Sequence, residues 1–180
     1  MRKGNKSGNE GLATLPERSL LLVVSPRTQT MELRGRGRLL KTYRISTSRV
    51  GLGQTPNSYR TPTGLHRVVR WIGEGRPLGA VFVGRRFTGT VLPPTAWRSD
   101  APNDSITTRI LRLRGLERGH NAGPGCDTYA RFVYIHGTNH EQLLGQPASA
   151  GCVRMGNRDV ADLFRRTRGH PTFCLIQSDD

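Results

Sequence analysis

A chain of 180 residues is long enough for one domain with a real core and too short for two comfortable ones. With 34% hydrophobic residues, 22 Gly and 11 Pro, it favours short strands and many turns over long helices. No apolar run approaches the roughly eighteen residues that span a bilayer. The formal charge is +15, and all of the 28 basic residues except Lys3, Lys6 and Lys41 are arginine. Such a balance fits an anionic partner or a generally basic surface. The arginines are scattered rather than gathered in one helix or arm, which argues against a nucleic-acid partner.

The leader, residues 1–18, carries little apolar content and reads as loosely attached. No secretory apolar stretch follows its basic start: Leu20–Val24 is too short, with Glu17 and Arg18 in front of it. That predicts a cytoplasmic protein, or a periplasmic one if the true start lies upstream. Residues 19–178 form the expected domain. Ser19–Ser25 is a short apolar β run, and Gln29–Arg34 alternates, with Met31 and Leu33 on one side. Gly35-Arg36-Gly37 then reads as a hairpin turn rather than an RNA-binding motif, and Leu39–Ser46 as the return strand. A loop punctuated by Gly and Pro runs from Arg49 to Gly64 and ends in Thr61-Pro62-Thr63-Gly64.

Leu65–Ile72 and Ala80–Val83 read as strands, with His66 a packed histidine. Thr90–Ser105, holding Pro93, Pro94 and Pro102, reads as an irregular connection bordering a cleft. Thr107–Leu113 is a further strand, Glu117–Asp127 a glycine-rich loop, and Tyr129–Ile135 a strand dense in aromatic and β-branched residues. Near the end, Asn157 is the expected cap of a helix whose Val160, Leu163 and Phe164 share one face. Acidic Asp159 and Asp162 come early, Arg165, Arg166 and Arg168 late, and Gly169 is the stop. Thr172–Gln177 closes the chain as a strand. The expected fold is mainly β.

Three cysteines, with no C-x-x-C, leave at least one thiol outside any disulfide. Cys126 sits in a loop and Cys174 in the closing strand, whereas Cys152 lies in Ser149-Ala150-Gly151-Cys152-Val153-Arg154. Small residues around a cysteine build little core but let a substrate approach. The amides of Gly151 and Cys152 are candidate oxyanion donors. His136, sixteen positions upstream at the end of an apolar run, can face the cysteine from a neighbouring strand and take its proton. Cys152 and His136 are therefore the candidate catalytic pair. Ser149 is read as a brace for the loop, and Arg154 as a grip on a substrate carboxylate or a structural tie.

His136-Gly137 followed by Ser149-x-Gly151-Cys152-Val153-Arg154 resembles the signature of the L,D-transpeptidase catalytic domain (YkuD-like) family, bacterial cysteine acyltransferases of peptidoglycan. Leu20–Ser46 and Thr61-Pro62-Thr63-Gly64 are similar to the family's opening strands and its Thr-Pro-x-Gly turn, so the resemblance runs from about Leu20 to Gln177. Ala150 stands where many members have histidine. The resemblance implies a β-sandwich with one short helix after the cysteine loop. It also implies a backbone carbonyl, of Gly137 or Thr138, behind the histidine, and no cofactor. Arg154 and Asn139 are the candidate substrate-binding residues. The implied partners are peptidoglycan stem peptides or soluble muropeptides: a thioester forms at the L-centre of stem residue three, terminal D-Ala leaves, and water or an amine accepts the acyl group. Two other readings remain open: a zinc site of His136, His140 and Cys152, and a basic nucleic-acid-binding module.

Overall fold

The computed structural model describes residues 15–98 and 100–178, so the leader expected over 1–18 lies, up to residue 14, outside the described residues. Ten strands follow in chain order: β1 (Leu20–Ser25), β2 (Thr30–Gly35), β3 (Arg38–Ser46), β4 (Gly64–Ile72), β5 (Ala80–Val83), β6 (Arg86–Val91), β7 (Ile106–Gly115), β8 (Tyr134–Gly137), β9 (Val153–Met155) and β10 (Thr172–Ile176). Among the described residues one α-helix, α1 (Asn157–Thr167), lies between β9 and β10. Eight of the strands pair in the order β4-β10-β1-β2-β3-β9-β8-β7, and β7 pairs back onto β4, closing a mixed, sandwich-like barrel. The β5–β6 hairpin hangs from β7 outside that ring.

Alternation builds the interior. Leu22 and Val24 on β1, Met31 and Leu33 on β2, and Tyr43 and Ile45 on β3 are buried together with Leu111, Leu113, Ile135, Val153 and Met155 from the far side of the ring. The β2–β3 turn takes Arg36 and Gly37 at φ 49° and 73°, the left-handed pair that a two-residue hairpin of this twist requires. The helix lays Val160, Leu163 and Phe164 on the same core. Its Asp162 accepts from Tyr43, Lys41, Arg165 and Arg166, tying the helix across to β3.

Three local expectations change. The strand expected over Tyr129–Ile135 begins only at Tyr134, and runs to Gly137. Asp127 accepts from the Ala130 amide at 2.8 Å and the Arg131 amide bonds the Asp127 carbonyl, so the segment turns, with Phe132 at φ 56°. Thr90 and Val91, expected in the irregular connection, instead end β6, where β5 supplies a partner.

Asn157 does not cap the helix from outside, since Gly156 is the N-cap. Its side chain instead turns inward, accepting from the hydroxyls of Thr107 and Thr108 and donating to the Thr138 carbonyl and Glu141, both at 2.8 Å. A buried amide meeting four groups locks α1 to β7 and to the loop after β8. Asn157→Ala strands these partners and should cost about 2–4 kcal/mol of unfolding free energy in denaturant titration, against about 0.5 kcal/mol or less for an exposed control such as Arg158→Ala.

Candidate active site

The site lies where β8 and β9 run parallel. Ile135 pairs with Val153 and His136 with Arg154, so Tyr134 stands level with Cys152, the residue just before β9. Strand side chains alternate, which sends Ile135 and Val153 into the main core and leaves Tyr134, His136, Cys152 and Arg154 on the other face. Cys152 and His136 are thus diagonal neighbours across one strand pair, a separation that such side chains can bridge. Cys152 is half-buried and packs on the second cluster of Ala80, Phe82, Ile110 and Tyr134. It lines a groove of about 650 Å³ together with Tyr59, Arg131, Phe132, Ala150 and Gly151.

The cysteine loop is rigid for identifiable reasons. Ser149 Oγ donates to the Cys152 carbonyl at 2.6 Å and accepts from the Gly151 amide at 3.2 Å. Thr61, from the Thr-Pro-Thr-Gly turn, donates to the Gly151 carbonyl at 3.0 Å. Gly151 sits at φ 117°, and a Cβ there would meet the Tyr59 and Arg60 carbonyl oxygens at 3.4 Å. With the Gly151 amide taken by Ser149, the Cys152 amide is the more available oxyanion donor of the two.

His136 is buried, and its Nδ1 lies 2.7 Å from the Gly137 carbonyl oxygen. A carbonyl can only accept, so Nδ1 carries the proton and Nε2 is left as the basic nitrogen. Gly137 is required by space: a Cβ would come within 2.7 Å of the Thr107 carbonyl oxygen. Burial pushes the His136 pKa down; Asp104 and the Gly137 carbonyl oppose this, and Arg154 adds to it. Burial likewise pushes the Cys152 thiol up to about 11, against the pull of the Tyr134 amide, which points at the sulfur from 3.4 Å. The resting pair is therefore neutral thiol and neutral imidazole.

Two expected substrate contacts are not at the groove. Arg154 is buried, its Nε lying 2.8 Å from Asp104 Oδ2 in an ion pair without hydrogen-bond alignment. Asn139 is buried too and accepts from the Ser105 amide at 2.6 Å. Asp104 also takes the Thr138 hydroxyl. The Pro-rich segment is thereby tied to the histidine loop. His140 continues that seam, its Nε2 2.9 Å from the Ala101 carbonyl oxygen. Among the described residues no group of His, Cys, Asp and Glu is placed to hold a metal ion.

Sequence reasoning passes over Asp104, Arg131 and the Tyr134 amide. No spacing rule links them to Cys152, and the only hint is that Arg131 falls in the segment leading into His136.

The sequence pattern of the L,D-transpeptidase catalytic domain (YkuD) matches residues 19–172. The chain belongs to this family. A Bacillus licheniformis protein named L,D-transpeptidase YkuD is 28% identical over 150 residues, covering 83% of this chain and 59% of that one. Among solved structures, an L,D-transpeptidase from Mycobacterium smegmatis superposes with a TM-score of 0.52 at 14% identity, over 88% of this chain and 58% of that one. L,D-transpeptidase 3 from Mycobacterium tuberculosis, bound to a faropenem-derived adduct, gives 0.52 at 15% identity, over 88% and 60%. The chain thus spans about three-fifths of these relatives, and at such identities the structures speak for the fold. That fold, mainly β with one short helix after the cysteine loop, is the one the motif implies. Among the described residues no helix is long and apolar enough to cross a membrane.

Thiol accessibility follows from the burial. Cys126 and Cys174 are buried, so iodoacetamide should modify native protein at Cys152 alone, and all three thiols after unfolding. Because the Cys152 thiol is raised to about 11, its alkylation rate should keep climbing as pH rises past 9; a plateau at pH 7 would instead reveal a stable resting thiolate.

Proposed function

We propose that this L,D-transpeptidase-family domain is a cysteine acyltransferase acting on peptidoglycan tetrapeptide stems, with Cys152 as nucleophile and His136 as base. The placement of both residues on one face of the β8–β9 pair, with the sulfur at the groove, carries the reading. The two groups start neutral, so attack and proton transfer proceed together. Cys152 Sγ bonds to the carbonyl carbon at the L-centre of stem residue three while its proton passes to His136 Nε2. The resulting imidazolium is stabilised by the Gly137 carbonyl at Nδ1–H and by the nearby Asp104 carboxylate. The carbonyl oxygen becomes an oxyanion facing the Cys152 amide.

Collapse of that intermediate breaks the amide bond, and His136 returns the proton to the departing D-Ala nitrogen. The thioester on Cys152 is then attacked by water or an amine, His136 taking the proton once more, and the thiol is regenerated. Ser149 and Gly151 keep the loop in shape, and Gly137 fixes the imidazole. The buried Arg154–Asp104 pair serves as a tie beside the site. Water needs no binding subsite, whereas an amine must be held to compete at water's concentration of about 55 M. Release of tripeptide and free D-Ala from soluble muropeptides, L,D-carboxypeptidation, is accordingly the main reaction proposed, with crosslinked dimer as the transpeptidation product.

Mass spectrometry after incubation with purified disaccharide tetrapeptide reads both products. Cys152→Ala should abolish turnover without changing the fold, and His136→Ala should lower kcat by about 10²–10⁴-fold. Cys174→Ser should remain active. Dimer as the main product would replace the hydrolytic reading with crosslinking, and undiminished turnover by Cys152→Ala would end the acyl-enzyme reading altogether.

A further inference from the structure

Resting on the acyl-transfer reading above, we propose that Arg131 forms a carboxylate-binding subsite in the groove, the grip on the free C-terminus of the stem peptide. The chemistry sets a distance limit. One residue spans at most about 3.6 Å of chain, so the carboxylate of a terminal fourth residue lies within roughly 4 Å of the carbonyl that Cys152 attacks. A cation that holds it must share the groove with the sulfur. Arg154, on the same strand face two residues past the sulfur, does not line the groove: it is buried and already faced by Asp104 at 2.8 Å.

Arg131 lines the groove beside Cys152, and the Cys152 and Cys126 thiols are its electrostatic neighbours. Among the described residues no carboxylate forms an ion pair with it. The nearby Asp127 is turned to backbone, taking the amides of Ala130 and Gly123 at 2.8 and 3.3 Å. Half-buried and without a counter-charge, the guanidinium bears a desolvation cost that an anion arriving in the groove relieves.

The side chain is also pre-positioned. Its Nη1 donates to the Gly53 carbonyl at 3.0 Å and its Nη2 to the Arg60 carbonyl at 2.6 Å. Two of five donors are committed to the carbonyls of Gly53 and of Arg60, next to the groove-lining Tyr59, and the remainder are available to a ligand. A planar fork fixed in this manner suits a carboxylate better than a mobile ammonium does. The same charge pulls the Cys152 thiol pKa down against burial, so once D-Ala has left it eases departure of the cysteine sulfur from the thioester.

The test measures dissociation constants of the inactive Cys152→Ala protein for a tetrapeptide stem with a free C-terminal carboxylate and for its C-terminal amide. With Arg131 present the acid should bind about tenfold or more tightly than the amide, consistent with a charge-assisted bidentate contact. Arg131→Gln should erase that preference while leaving amide binding within about twofold. Arg131→Lys, which retains the charge without the fork, should keep part of it and guards against a folding defect in the glutamine variant. Acid and amide binding alike to the Arg131 protein, or equal weakening of both by Arg131→Gln and Arg131→Lys, would overturn the subsite and leave Arg131 a brace for the loop. Turnover of the same two peptides by the unsubstituted protein separates this outcome from the parent reading. A preference for the acid without any turnover keeps the subsite and ends the acyl-transfer function.

Discussion

Parallel pairing of two very short strands, β8 and β9, is the constraint on which the rest of the site depends. Strands this short are weak alone, and parallel pairing is slightly less stable per residue than antiparallel pairing. They hold because each is interior to the ring: β8 is backed by β7 and β9 by β3, with Ile135, Val153 and Met155 fully enclosed. A slip of one residue in the β8–β9 register would send His136 to the face opposite Cys152 and place Ile135 in the groove. The burial of Ile135 and Val153 on the core face is therefore what aligns the thiol and the imidazole.

Around that pair the protein invests polar contacts rather than apolar ones. Asn157, Thr107, Thr108, Thr138 and Glu141 form one buried network at the mouth of β8, and Asp104 joins it through Thr138. Each member has its partner, which is the condition for such a network to rigidify a site instead of weakening it. The Pro-rich segment before β7 and the helix after β9 are both tied into it. A nucleophile loop backed in this manner keeps its geometry while the facing groove stays open.

Some of the arginines are taken up by the fold itself. Arg112 stacks on Tyr129 at 3.4 Å, Arg154 faces Asp104, and Arg165 and Arg166 converge with Lys41 on Asp162. Desolvation pushes Asp162 up, but the donors Arg166, Lys41, Tyr43 and Arg165 outweigh it and hold the carboxyl well below its ordinary range. Arginine in these places is a structural material, planar and able to stack or fork.

The sequence by itself determined the strands that read as alternation, from β1 through β4, the Arg36-Gly37 turn, the single amphipathic helix and the Gly-flanked cysteine with a histidine sixteen positions before it. These features are local, set by side-chain period, left-handed glycine positions and residue type. Only the tertiary structure decided that Val153–Met155 is a strand, that Tyr129–Phe132 turns instead of extending, and that Asn157 points inward instead of capping. It alone brought Asp104 under Arg154 and Arg131 into the groove. Those outcomes depend on partners distant in the chain. A three-residue strand exists only if two neighbours donate and accept along it, and an arginine's role is settled by whichever carboxylate, carbonyl or open groove the closed ring places within its reach.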